Sequence, residues 1–155
     1  MKHLSTLLVS VILLACQSEP QTYTGDFNGL QENAKKMRKW EIVLNGYLSK
    51  YEELPNEFGA PVLLYETQNA RLKDTGVDGR DLNKSILVSI GETDVSGCFG
   101  EYVTLTGKII THDRGRVFLK ATQLNRAVKN PEKPFERKNS KPISCFELPN
   151  PQQPQ

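Results

Sequence analysis

Catalysis in this 155-residue sequence would depend on very few side chains, chiefly Cys98, Cys145 and His112. A Cys–His pair could supply a nucleophile and its base, but only if one of these cysteines is a free thiol. The charged residues nearest to Cys98 are Asp94 and Glu101, which would not lower the pKa of a thiol. The sequence contains no GxSxG elbow, P-loop, HExxH or CxxC motif. We therefore predict no catalytic residues, with a small enzyme or an enzyme inhibitor as the alternative.

The best candidates for metal ligands are Asp74, Asp78 and Asp81 in the segment DTGVDGRD. Carboxylates around a turn-forming glycine are typical of Ca²⁺-binding loops. The spacing does not match an EF-hand, and no glutamate follows at the required position. A solvated turn without metal is therefore the favoured interpretation, and no cofactor is predicted.

Aromatic side chains are the best candidates for ligand contact. These are Tyr47, Tyr51, Tyr65 and Tyr102, with Phe58 nearby. Such rings stack on sugars, bases or peptide bonds. A small β-barrel also needs aromatic rings in its core, so each tyrosine could equally be a packing residue.

The N-terminus has the pattern of an export signal. Lys2 provides a positive charge, an apolar run covers residues 7–14, and the small Ala15 stands where a signal peptidase cuts. The run is about half as long as the ~20 residues of a membrane-spanning helix. We predict that residues 1–15 are a signal peptide.

The residues around this cleavage point, LLAC (13–16), resemble a bacterial lipobox. The resemblance implies that Cys16 is acylated, becomes the first residue of the mature chain and anchors it to a membrane. Gln17, rather than Asp, favours the outer membrane, with the domain facing the periplasm or the cell surface. A soluble secreted protein cut near Ala15 is the alternative.

Lipidation of Cys16 would leave Cys98 and Cys145 in the mature chain. An even number of cysteines in an oxidising compartment favours a disulfide bond. A loop of roughly 48 residues closed in this way would add about 4 kcal/mol of stability in the chain-entropy model. A reactive thiol is the competing interpretation.

Alternation places Trp40, Ile42 and Leu44 on one face of a first strand, and Val103, Leu105 and Ile109 on one face of a fourth. With three short runs rich in β-forming residues, five runs in the middle of the chain predict β-strands. They cover residues 40–48, 61–67, 85–90, 101–111 and 117–124. Gly46 and Gly107 interrupt two of these strands, as expected where a strand bends at a barrel corner. HDRGR (112–116) predicts a hairpin loop, with His112 in solvent, and the polar segment 71–84 has room for one helical turn.

Outside the strands, the sequence predicts little regular structure. Residues 17–28 have the composition of a spacer, and 149–155 that of a disordered tail. Within 28–39, Leu30, Ala34 and Met37 share helical spacing, which predicts a short helix capped by Asn28. Residues 129–148 predict a basic extension, tied to the domain by Cys145. The cations of 35–39 and of 126–141 could contact phosphates of lipid or lipopolysaccharide.

Four motifs of the central region resemble a group of small, mostly uncharacterised bacterial OB-like proteins. They are IVLNGYLSK, VLLYET, GCFGEYVTLTGKI and VFLKATQLNRAV, within residues 40–128. The resemblance implies an all-β domain with a five-stranded OB-like barrel. The segment 91–100 shows no sign of the helix that OB-folds usually carry between strands three and four. A reduced barrel and a small β-sandwich therefore remain alternatives.

The sequence predicts location better than activity. The formal charge of +2 is too small to indicate a strong nucleic-acid binder. OB-like barrels bind extended polymers across strands two and three. We therefore expect a lipid-anchored, non-enzymatic binding module for an envelope protein or polysaccharide. A small envelope enzyme or enzyme inhibitor is the second interpretation. An OB domain that binds oligosaccharide or nucleic acid is the third interpretation, and the weak charge and surface location argue against nucleic acid.

Overall fold

The computed structural model describes residues 19–51, 61–74, 84–113, 116–134 and 142–146. Within these ranges, no helix is both long enough and apolar enough to cross a membrane. The strands are β1 (Thr22–Thr24), β2 (Glu41–Lys50), β3 (Pro61–Tyr65), β4 (Ser85–Ser89), β5 (Tyr102–Asp113), β6 (Arg116–Arg126) and β7 (Ile143–Ser144). The helices are α1 (Phe27–Asn33) and α2 (Gln68–Lys73), with a 3-10 turn at Ser96–Cys98.

Five of the strands form a closed barrel. Their order is β2-β3-β4-β6-β5, and β5 pairs again with β2 to close the circle. All neighbours are antiparallel except β4 and β6, which run parallel. This order and this single parallel pair define an OB-like barrel, which confirms the predicted fold class and excludes a β-sandwich.

The alternation of polarity along the strands explains the barrel interior. Ile42, Leu44 and Leu48 of β2 are fully buried, as are Val103 and Leu105 of β5. Side chains of opposite parity point outward, as the period of a strand requires. The predicted inner faces of β2 and β5 are therefore confirmed.

The two glycines within strands are required by close backbone contacts. A Cβ on Gly46 would overlap the carbonyl oxygen of Tyr65, and a Cβ on Gly107 would overlap that of Lys120. The β5–β6 register also shifts between Thr106 and Gly107. Glycine thus permits the bends that close the barrel.

Helix α1 packs against the barrel core. Phe27 and Leu30 of α1, with Ala34 and Met37 of the turns that follow it, are buried in the same core as the inward side chains of the strands. An OB-fold usually places a helix between its third and fourth strands, but here that connection carries only the 3-10 turn. In this protein, a helix that precedes the first barrel strand packs against the core.

Several boundaries differ from the expectations. The expected spacer contains β1, which pairs in parallel with β2. Asp26, and not Asn28, caps α1, because its carboxylate accepts a hydrogen bond from the Gly29 backbone at 2.6 Å. Asn28 instead donates to Glu32. Helix α1 ends at Asn33, and residues 34–39 form turns.

The β5–β6 hairpin is longer than predicted. Strand β5 continues through Asp113 and β6 starts at Arg116, so the connection shrinks to residues 114–115. His112 lies within β5, paired with Val117, and not in a loop. The expectation that His112 sits in the loop was therefore wrong.

Cys98 and Cys145 form a disulfide, with Cα atoms 5.8 Å apart. Both residues are completely buried in the barrel core. Strand β7 lies just before Cys145 and pairs with the end of β6, and the Cys145 backbone donates to the Leu124 carbonyl at 2.8 Å. The disulfide and these hydrogen bonds tie part of the basic extension to the barrel.

Candidate binding face

The outer wall of the barrel carries a row of tyrosines across three neighbouring strands. Tyr102 of β5 pairs with Tyr47 of β2, and Tyr47 pairs with Tyr65 of β3. Residues paired across antiparallel strands lie side by side on the same face. The rings of Tyr47 and Tyr102 meet edge to face, with centroids 5.1 Å apart.

A second apolar cluster, separate from the core, surrounds this row. Tyr47, Leu63 and Tyr65 form its buried part, and Tyr51, Ala70, Leu87 and Tyr102 pack against them. We call this surface the tyrosine face: Tyr47, Tyr51, Leu63, Tyr65, Leu87 and Tyr102. All four predicted tyrosines therefore come together on the outside of the barrel.

The four tyrosines differ in their accessibility. Tyr47 is 1% exposed and Tyr65 is 4% exposed, so neither ring offers its face to a ligand in this conformation. Tyr51 and Tyr102 are half-buried and keep part of their surface in solvent. The tyrosine face thus has a buried base of two rings and an accessible part of two more.

The segment that follows β6 crosses the tyrosine face. We call residues 127–133 the strap. It starts where the Ala127 backbone donates to the Tyr102 carbonyl at 2.9 Å. The Asn130 amide then donates to the Tyr47 hydroxyl at 2.8 Å, and its oxygen accepts from that hydroxyl at 3.1 Å. The strap therefore provides hydrogen-bond partners for the buried Tyr47 hydroxyl.

The strap also meets α2. The Glu132 carboxylate accepts a hydrogen bond from the Gln68 backbone at 3.0 Å. Helix α2 itself is capped by Thr67, whose hydroxyl accepts from the Ala70 backbone at 3.1 Å. The strap and α2 are thereby joined beside the tyrosine face.

Asp74 has a structural partner, because the Tyr65 hydroxyl donates a hydrogen bond to its carboxylate. Asp78 and Asp81, the other predicted metal candidates, lie outside the described residues, as does Phe58. The part of the chain that the structure describes contains no group of three potential metal ligands.

Burial governs the electrostatics of the tyrosines. It raises the pKa of Tyr47 above its usual value, and the neighbouring Glu132 carboxylate raises it further, while the Asn130 hydrogen bond opposes this. Burial is also the main reason why the pKa of Tyr102 is raised, followed by Tyr47, Glu132 and Glu66. Both phenols are therefore neutral hydrogen-bonding groups near neutral pH, with carboxylates around them.

Asn130 and Glu132 are the residues of this site that sequence reasoning missed. Both lie in the basic extension, for which the sequence predicts only contacts of cations with phosphates. The signal was the tripeptide Asn130-Pro131-Glu132, since Asn-Pro favours the start of a turn. The Asn130 oxygen indeed accepts from the Glu132 backbone at 3.0 Å.

Fold and surface together define an OB-like barrel with an aromatic outer face that its own C-terminal segment crosses. The chain matches no protein-family model, no curated protein and no solved structure.

Proposed function

We propose that the protein is a lipid-anchored, non-enzymatic binding module of the bacterial cell envelope, whose tyrosine face contacts an envelope polysaccharide or protein. Cys16 would carry the lipid, and the domain would face the periplasm or the cell surface from the outer membrane. The observation that carries the proposal is the alignment of Tyr102, Tyr47 and Tyr65 across the outer strands of an OB-like barrel.

The chemistry around the two accessible rings supports a ligand with both apolar and polar surfaces. Tyr51 and Tyr102 supply aromatic surface, while Glu66 and Glu132 supply hydrogen-bond acceptors close to Tyr102. Sites with an aromatic platform and a few polar groups at its edge suit sugar rings and extended peptides. The buried base of the face is fixed by Asn130, so the platform is preorganised.

The ligand can be sought with a photo-crosslinking amino acid placed at Tyr102 in living cells. Gln123, exposed on β6, provides the matched control position. A specific protein adduct from position 102 and not from 123 would support a protein ligand. Retention of the purified protein by envelope polysaccharide, weakened at least about ten-fold by Tyr102→Ala and not by Ile110→Ala, would support a glycan. The absence of both results would contradict the proposal.

The anchor requires a separate test. Cells that express the protein should incorporate labelled palmitate into the wild-type chain and not into Cys16→Ser. Incorporation into the serine variant would overturn the assignment of Cys16.

A further inference from the structure

We infer that the end of the barrel where β2 begins docks onto the anionic headgroups of a lipid surface. This inference extends the proposed function, because it concerns how an anchored domain sits on its membrane. We call the contact surface the basic end. It consists of six exposed cations: Lys35, Lys36, Arg38, Lys39, Lys108 and Lys120.

The strand register gathers these cations at one place. Ile42 pairs with Gly107, so Lys108 follows at the level where β2 begins. Lys108 is directly opposite Lys120 across the β5–β6 pair. Residues 34–39 lead from α1 into the same end of β2. Two stretches that are distant in sequence thus contribute to one surface.

The charges of the basic end are not neutralised within the described part of the protein. None of the six cationic side chains forms a hydrogen bond or an ion pair with a described residue. Carboxylates occur in the same stretch of chain, at Glu41, which is exposed at the start of β2, and at Glu32 of α1, which accepts from Asn28. Like charges directly opposite each other on a sheet are destabilising. The Lys108–Lys120 pair therefore costs stability that an anionic partner would recover.

An exposed apolar side chain accompanies the charges. Ile110, two residues after Lys108 on β5, is 44% exposed. A combination of cations with an exposed aliphatic side chain fits the boundary between headgroups and acyl chains. It fits a uniformly hydrophilic acidic polymer less well, and this difference favours a lipid surface.

The entry point of the chain places the proposed anchor at the same end. Thr22 pairs with Glu41, so β1 begins beside the first residue of β2. Cys16 precedes Thr22 by six residues, and six extended residues reach about 20 Å. A lipid on Cys16 would therefore hold the basic end within about 20 Å of the membrane surface.

Docking in this orientation leaves the tyrosine face accessible. Tyr47 lies five residues along β2 from Ile42, which corresponds to about 17 Å along the strand. The face would stand above the lipid surface and remain open to a ligand in the envelope.

The first experiment measures binding of the full chain carrying Cys16→Ser to vesicles of phosphatidylglycerol or phosphatidylcholine. The apolar N-terminus contributes to binding of both kinds of vesicle. The difference in affinity between anionic and neutral vesicles therefore reports docking of the basic end. Each cation near an anionic surface strengthens binding about five-fold, so Lys108→Gln/Lys120→Gln should weaken it about 25-fold. The matched variant Lys73→Gln/Lys129→Gln, on α2 and the strap, should change it less than about two-fold, since its charges lie beyond the range of the surface potential.

The second experiment uses Trp40, the single tryptophan, which is half-buried at the basic end. Lipids with a nitroxide headgroup should quench its fluorescence in anionic vesicles, and high salt should abolish the effect. The Lys108→Gln/Lys120→Gln protein should melt no lower than wild type, because a repulsion has been removed. Lost vesicle binding with an intact fold would then report lost docking.

Three results would overturn the inference: equal binding to both vesicle compositions, equal weakening by both double variants, or retention by an acidic polysaccharide without vesicle binding. The palmitate experiment reports the anchor, whereas these experiments use a chain without lipid. Failure of the anchor and failure of docking are therefore distinguishable.

Discussion

Removal of the Asn130 side chain should loosen the strap and destabilise the whole barrel. The Tyr47 hydroxyl belongs to a residue that is 1% exposed, and Asn130 provides it with both a donor and an acceptor. Asn130→Ala would leave this hydroxyl without that partner. A buried polar group that loses its partner costs about 1–3 kcal/mol, so the free energy of unfolding should fall by about 2 kcal/mol.

A double-mutant cycle with Tyr47→Phe isolates this interaction. In the Tyr47→Phe background the hydrogen bonds to Asn130 are already absent, so Asn130→Ala should lower the free energy of unfolding only slightly. The two changes should therefore be coupled by about 1–2 kcal/mol. Urea unfolding, followed by circular dichroism and by Trp40 fluorescence, should show the single Asn130→Ala midpoint about 1 M lower than wild type.

Lys129→Ala is the matched control, because this exposed side chain precedes Asn130 on the strap. It should change the free energy of unfolding by less than about 0.5 kcal/mol. A loss of less than about 0.5 kcal/mol for Asn130→Ala, or strict additivity with Tyr47→Phe, would refute the role given to the strap.

Three further predictions concern the barrel as a whole. Leu30→Ala should lower the free energy of unfolding by about 2–5 kcal/mol, and Glu32→Ala, exposed on the same helix, by less than about 0.5 kcal/mol; equal melting temperatures would contradict the role of α1 in the core. Reduction of the Cys98–Cys145 bond should cost about 4 kcal/mol, measured as a lower melting temperature with reductant; two free thiols in the untreated protein would exclude the bond. Three tyrosines have a pKa raised above 10.0 in the folded state, so the unfolded chain ionises first and stability should fall as the pH rises above 10. A phenolate absorbance titration should show tyrosine ionisation coupled to unfolding above pH 10, and Tyr47→Phe should make the loss of stability smaller. Reversible titration of every tyrosine near pH 10 without unfolding would contradict this prediction.

The barrel strands could be predicted because their signal is local. Alternation of polarity depends on residues two apart, so Ile42 and Leu44 on β2 revealed the inner face without any knowledge of the partner strands. Gly46 and Gly107 likewise marked the bends. The resemblance to OB-like proteins implied a five-stranded OB-like barrel, and the structure confirms that fold class.

The role of α1 and the composition of the tyrosine face depended on contacts between distant residues. The stripe of Leu30, Ala34 and Met37 predicted a helix, but nothing in it indicated which part of the barrel it would fill. Tyrosine suits a core and a binding surface equally, so the burial of Tyr47 could not be distinguished from the partial exposure of Tyr102. Asn130 was missed because its importance arises from a partner on β2.

The position of α1 has a consequence for the order of folding. This helix is made before every barrel strand, yet its apolar stripe is covered only when β6, the last barrel strand, has joined the core. Contacts between residues so far apart in sequence form slowly, because long loops must close first. A chain that emerges from its N-terminus, during synthesis or export, must therefore carry an exposed apolar helix until nearly all of it has arrived. The domain therefore folds only after nearly all of the chain has emerged, and a chaperone that binds α1 would delay folding of the whole barrel.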